Sequence, residues 1–316
     1  MKLVCYDAGN GPRSGVLRGE RVLDATDFLG NSSIIRDVQA LLELGPEALQ
    51  RLRNGSAGTS AGMASSTVRL LSPVLRPPTI RDFSVYEGHA TMGGAWKLPD
   101  AWYRLPVFYF SNPLCVCGPD ATIPYPSATR KFDYEVELAA VIGREGRNVG
   151  AADAADYIAG FTIFVDWSAR DLQRDEMQLH LGPAKGKDSS NSLGPWLVTL
   201  DELGGLWRDG QLHATATLRV NGVEWVCGTT GGMQHDWAAL VERASRDSRI
   251  VPGDIIGAGS IAGGSIPEAI RLGRPARYLE PGDRVEVTIE GLGTLSNTLA
   301  QPELDASGYR FLAPSK

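Results

Sequence analysis

The segment FDYEVELAAVIG, residues 132–143, sets Asp133, Glu135 and Glu137 at every second position. In a strand, side chains alternate between faces, so the three carboxylates share one side while Tyr134, Val136 and Leu138 point to the other. Period two by itself fits a solvated acidic face on an exposed sheet. Three like charges this close also repel, and a bound cation would relieve the repulsion. An oxygen-only donor set suits a hard ion, Mg²⁺ before Mn²⁺ or Ca²⁺, and argues against zinc, which prefers His or Cys. A further donor stands at Asp166 in GFTIFVDWSARDLQ, where an apolar strand ends and a helix is expected to start. A carboxylate there is also an ordinary turn residue.

The chain around these acids has 316 residues, 43% hydrophobic and 22% charged, enough for one large domain or two unequal ones. Lys plus Arg number 31 against 37 Asp plus Glu, a net charge of −6, which argues against nucleic acid or an anionic membrane and for a small-molecule partner. No basic-then-apolar leader opens the sequence, and no apolar run approaches the roughly 20 residues of a membrane span. A cytoplasmic protein is expected. Cys5, Cys115, Cys117 and Cys227 form no CxxC pair and are expected to be reduced and half-buried.

The opening MKLVCYDAGNGPRSGVLRGERVLDA predicts short strands around the turns Gly9-Asn10-Gly11 and Gly19-Glu20. SIIRDVQALLELGPEALQRLRNG predicts a helix with Ile34, Ile35, Val38, Leu41 and Leu42 at helical spacing, Ser33 as N-cap and Gly55 as stop. Residues 54–67 are small and polar and read as a linker. Residues 1–70 are therefore expected to form a small N-terminal α+β domain. Residues 71–316 then change to short β-rich segments punctuated by Gly and Pro, which predicts an α+β, β-rich body. Asn221-Gly222 is the strongest hairpin signal. Two helices are expected to interrupt the strands, SARDLQRDEMQ capped by Ser168 and DWAALVERASRD capped by Asp236.

Taken in order, RDFSVYEGHA (81–90), LPVFYF (105–110), FDYEVELAAVIGREGRNV (132–149), YIAGFTIFVDWSARDLQ (157–173), KGKDSSNSLGPWLVT (185–199), VNGVEWVCGTTGGM (220–233) and LEPGDRVEVTIEGLGTLSN (279–297) resemble the fumarylacetoacetate hydrolase family. The resemblance covers about the last three-quarters of the chain, and the ordered series is more specific than any one segment. It implies a small N-terminal domain followed by a mixed β-sandwich roll, a homodimer, and a divalent metal at the core of the site. By position it implies Glu135, Glu137 and Asp166 as ligands, Asp82 as a further ligand in some members, and Asp133 outside the ligand set. His89 falls on the family's catalytic histidine. Glu268 of GAGSIAGGSIPEAIRLG is implied as its acidic partner, with Glu87 the alternative, and Lys187 as the residue that polarises a substrate oxygen. Arg170, Gln173, Tyr109 and Ser260 are implied as substrate contacts.

The chemistry this implies is cleavage of a C–C bond in a β-diketone or 2,4-dioxo acid. His89 takes a proton from water, hydroxide attacks the non-enolised carbonyl, and an enolate departs while the ion orients substrate and takes up charge. Relatives on the same scaffold isomerise or decarboxylate 2-oxo diacids, or hydrate a 2-oxo alkene; a non-catalytic binding member is the remaining alternative. Two tyrosines of the parent hydrolase are replaced, by Ser84 and Met177, and Asp188 follows Lys187 where a small hydroxyl residue is usual. A less polar or differently shaped diketone than fumarylacetoacetate is therefore expected.

Overall fold

In the computed structural model, which describes residues 1–57, 61–305, 309 and 311, the strands Lys2–Asp7, Pro12–Arg18 and Arg21–Asp24 pair antiparallel around the two expected turns. The helix expected between Ser33 and Gly55 is instead two, Val38–Leu42 and Pro46–Ser56. Asp37, not Ser33, caps the first by accepting from Ala40 N–H at 2.9 Å. Gly45 breaks the run with φ 85°, and Pro46 starts the second helix, where its missing N–H costs nothing. Gly55 lies inside that helix because a Cβ there would sit 2.0 Å from the Phe28 ring. The expected linker is largely ordered: the second helix runs to Ser56 and Met63–Ala64 pairs with Arg21 and Val22, while residues 58–60 lie outside the described residues.

Lys2 and Leu3 pair with Val198 and Leu197, which joins the N-terminal strands to the sheet that carries the acids. Among the described residues that sheet has 12 strands, and its central run is Asn191–Val198, Ile158–Asp166, Glu135–Ile142, Ile255–Ser265, Ile80–Phe83 and Phe108–Ser111. A second, 5-stranded sheet runs Val223–Thr229, Thr215–Val220, Arg284–Ile289, Gly293–Leu299 and Thr122–Ile123. Val136, Leu138 and Ile163 of the large sheet and Leu218, Val287 and Leu295 of the small one share one buried core. This is the mixed, strand-rich α+β fold expected.

Two local expectations separate here. Asp236 caps Trp237–Ser245 by accepting from Ala239 N–H at 2.9 Å, and Asn221 and Gly222 turn the hairpin with φ 51° and 81°. Ser168 caps nothing: it pairs with Asp133 in a short ladder, and the helix Arg170–Met177 starts after it. The four cysteines are free, with Cys5 buried, Cys227 exposed and only Cys115 and Cys117 half-buried. No helix among the described residues is long and apolar enough to cross a membrane.

Candidate active site with a buried carboxylate cluster

Every residue of Glu135–Ile142 is buried, so the acids line no solvated face. Beyond Glu137 the acid side continues as Ala139 and Val141, which pack with Leu3, Leu197 and Ile255, while Val136 and Leu138 enter the main core. The strand Ile255–Ser265 makes room beside the acids by bulging. Glu135 faces Ser265, Glu137 faces Ser260 and Ala139 faces Gly257, so the partner gains residues opposite each acid. Gly259 allows this with φ 83°, in a position where a Cβ would lie 2.2 Å from Phe83 O.

Asp82, Glu137 and Asp166 bring carboxylate oxygens within 4.8 Å of one another, all buried. Asp82 arrives because Ile80–Phe83 runs parallel to Ile255–Gly257, and Asp166 because Val165 faces Val136. Asp82 Oδ1, both Glu137 oxygens and Asp166 Oδ1 have no hydrogen-bond partner. Unpaired buried carboxylate oxygens are costly, and a cation is what such a group fits. Burial pushes Asp82 up to about 6 and Asp166 to about 7 although Lys187 opposes both shifts. Burial, then Asp82 and Glu135, hold Glu137 well above the usual carboxylate range.

Glu135 is placed differently. Its Oε1 accepts from Arg170 Nη2 at 2.8 Å and its Oε2 accepts from Lys187 Nζ. Burial would raise its pKa, but Arg170 and Lys187 hold it well below the usual range. Lys187 Nζ also donates to Asp166 Oδ2 at 2.5 Å. Arg170, expected to grip substrate, spends Nε on Asp133 at 2.6 Å and Nη1 on Gln173 Oε1 at 3.0 Å, so within the protein it positions Glu135. Asp133 lies outside the cluster and also accepts from Ile266 N–H at 2.9 Å. Tyr109 OH meets Asp82 Oδ2 at 2.8 Å and also Asp166 Oδ2. One phenol proton cannot serve both carboxylates, so the second contact calls for another proton or a cation. Arg170 is shared between Glu135 and Asp133, so five carboxylates, Asp82, Asp133, Glu135, Glu137 and Asp166, face two permanent cations, Lys187 and Arg170, and a divalent ion would offset the excess of acid.

His89 stands on the short helix Glu87–Ala90, with Nδ1 at 2.6 Å from Glu268 Oε2 and Nε2 at 3.4 Å from Glu135 Oε1. An Nδ1–H donated to Glu268 leaves Nε2 to act toward the cavity. Burial lowers the imidazole pKa, but Glu135 and Glu268 outweigh it and raise it to about 9. A cation beside Glu135 would offset that pull. Glu87 turns away, accepting from Tyr103 OH at 2.6 Å, so it is not the partner of His89. Glu268 is itself held by Gly263 N–H at 2.9 Å and Ser265 Oγ at 2.7 Å. Ser265 precedes the helix Ile266–Arg271 without a side-chain capping bond to its backbone, its hydroxyl going to Glu268 instead.

Ser260, buried, and Gln173 line the same cavity of about 760 Å³ as His89, Lys187 and the acids. Two supports were not foreseen. Glu176 accepts from the backbone N–H groups of Ala184, Lys185 and Gly186 at 2.7–3.0 Å, which fixes the loop that delivers Lys187. Gly257 leaves space for Asp82: a Cβ there would lie 2.5 Å from Asp82 Oδ1 and 3.1 Å from the Phe164 ring. Gly257→Ala should therefore cost about 1–3 kcal/mol of stability, as overpacking does. It should also weaken divalent-ion affinity, read by denaturant unfolding and calorimetry; unchanged affinity would remove Asp82 from the ion's site.

The family model described as fumarylacetoacetate (FAA) hydrolase C-terminal matches residues 79–300. The chain belongs to the fumarylacetoacetate hydrolase family. It is 32% identical over 239 residues to the oxaloacetate tautomerase YisK of Bacillus subtilis, spanning 74% of each chain. A fumarylacetoacetate hydrolase structure from the psychrophile Exiguobacterium antarcticum superposes with TM-score 0.74 at 27% identity, covering 95% of this chain and 99% of that one. A Sphingobium maleylpyruvate hydrolase, in complex with manganese(II) and pyruvate, shares the fold with TM-score 0.72 at 22% identity, covering 96% and 100%. The family is one of enzymes that includes hydrolases, isomerases and tautomerases.

Proposed function

We propose that the protein hydrolyses a C–C bond of a 2,4-dioxo acid or related β-diketone with the help of a divalent ion, Mg²⁺ first and Mn²⁺ or Ca²⁺ as alternatives. The observation that carries this reading is the His89–Glu268 pair, 2.6 Å apart, opening onto the same cavity as the carboxylate cluster. Asp82, Glu137 and Asp166 would hold the ion, with Glu135 the fourth carboxylate of the group, and the bound ion would supply the Lewis acidity that takes up enolate charge. His89 Nε2 accepts a proton from water, and its Nδ1–H stays on Glu268. The hydroxide oxygen bonds to the distal carbonyl carbon. The bond from that carbon to the methylene then breaks, its electron pair passes into the enolate of the 2-oxo acid, and the imidazolium returns its proton to the methylene carbon. Lys187 supplies positive charge at the acidic end of the cavity, and Arg170 holds Glu135 in place. A cytoplasmic homodimer completes the proposal, supported by the family resemblance.

The second reading is tautomerisation of oxaloacetate, favoured by the Bacillus relative's name. The test is chelated protein resupplied with Mg²⁺, Mn²⁺ or Ca²⁺ and given acylpyruvates, β-diketones and oxaloacetate, with products identified by mass. Acid plus 2-oxo acid supports hydrolysis. Faster keto–enol exchange of oxaloacetate with no dioxo acid cleaved would replace hydrolysis with tautomerisation, and activity that survives chelation would remove the ion from the reaction.

A further inference from the structure

Lys187 contacts Glu135 and Asp166, and His89 contacts Glu135; Lys187, His89 and Glu135 line one cavity with Ser260, Asp82 and Glu137. The apolar lining includes Val85, Met92, Trp96, Leu98, Trp102 and Met177, and Ser84, Gln173 and Arg174 add polar groups to it. Trp96 is 61% exposed and Met177 49%, large apolar surfaces left open at the cavity's edge. Met177 stands four residues after Gln173 on the same helix, which points both to one side.

Of the cations that line the cavity, Arg170 is committed to Asp133 and Glu135, and Lys187 to Glu135 and Asp166. Arg174 is left, 68% exposed and 3.5 Å from Asp175. A pair formed with so exposed a cation contributes little net affinity. A carboxylate at the substrate's far end would lose hydration against the tryptophans and gain little in return.

We propose that the acyl group of the substrate is apolar, a medium-chain alkyl or aryl group packed on Trp96, Trp102 and Met177, and not a second acid. This rests on the hydrolase reading of the site. Each methylene moved from water onto such a wall is worth roughly fourfold in kcat/KM, so the four between acetyl and hexanoyl should give roughly 200-fold.

The test compares acetyl-, butanoyl-, hexanoyl- and benzoylpyruvate with a carboxylate-ended acylpyruvate as long as the hexanoyl compound. In parallel, tryptophan fluorescence measures binding of 2-oxoheptanoate and of the 2-oxo diacid of equal length. A rise in kcat/KM along the alkyl series, and at least a tenfold advantage over the carboxylate-ended compound, supports the apolar wall. A flat series or a preference for the diacid overturns it. If no dioxo acid is cleaved, the hydrolase reading fails by itself, and the binding ratio still decides: tighter 2-oxoheptanoate keeps the apolar wall, and equal or tighter diacid overturns it. Trp96→Ala should shrink the hexanoyl-to-acetyl ratio about tenfold, and Met177→Lys should move the ratio toward the carboxylate-ended compound. Ratios unchanged in both variants would also overturn the proposal.

Discussion

Glu137→Gln is expected to make the metal-free protein more stable while removing both activity and divalent-ion binding. Glu137 is fully buried, neither of its oxygens has a hydrogen-bond partner, and it faces Asp82 and Asp166. An amide of the same shape stays neutral where the wild-type carboxyl must give up a proton to hold an ion, and its NH₂ can donate to the unpaired oxygens of its neighbours. Unsatisfied buried groups cost roughly 1–3 kcal/mol, so Tm in chelator should rise by roughly 2–6 °C. Wild type should gain about 2.7 kcal/mol from an ion at 100 times its Kd, and the variant nothing. The pH dependence has a definite sign. Asp82 and Asp166, raised from 3.8 to about 6 and about 7, bind protons more tightly folded than unfolded. Their contribution is complete below about pH 4 and is lost as pH rises through 6 and 7. Chelated wild type should therefore weaken over that window, and added Mg²⁺ or Mn²⁺, which binds the deprotonated acids, should oppose the loss. Thermal unfolding from pH 4.5 to 8 with and without the ion checks all three parts. A variant that keeps the ion-dependent Tm rise would refute the role of Glu137.

The period-two acids were legible, but their burial was not, because alternation looks the same on an open sheet edge and in a sheet covered on both faces. The hint lay further along the strand, where Ala139 and Val141 continue the acid side as apolar residues. Asp82 comes from 55 residues before Glu137 through a parallel strand pairing, a long-range event that no local pattern carries. The fate of Arg170 was hidden for a related reason. Its spacing to Gln173 was readable, whereas its capture by Asp133 and Glu135 depends on how two segments dock. Ser168 looked like a cap until the ladder with Asp133 claimed it, so pairing outweighed a local preference. The break at Gly45-Pro46 was visible in the sequence, and helical periodicity on both sides masked it.

His89→Ala is expected to lower kcat for dioxo-acid cleavage by about 10²–10⁴, the range of a positioned general base, while leaving the ion-dependent rise in Tm in place. The second half of that expectation follows from geometry: His89 contacts Glu135 and Glu268 and is not among the three acids whose oxygens converge. Glu268→Gln should also be damaging, although it changes few atoms. Glu268 accepts at Oε1 from Gly263 N–H, and at Oε2 from both Ser265 Oγ and His89. An amide has only one acceptor oxygen, so its NH₂ must face either the Gly263 N–H or His89. The first choice sets donor against donor. The second requires His89 to accept at Nδ1, moves the proton to Nε2 and removes the base from the cavity side. A loss of about 10–10³ in kcat with KM less affected fits either choice, and nitrogen chemical shifts of His89 would report the tautomer. If His89→Ala keeps kcat within fivefold of wild type, the paired imidazole is not the base and hydrolysis loses the observation that supports it.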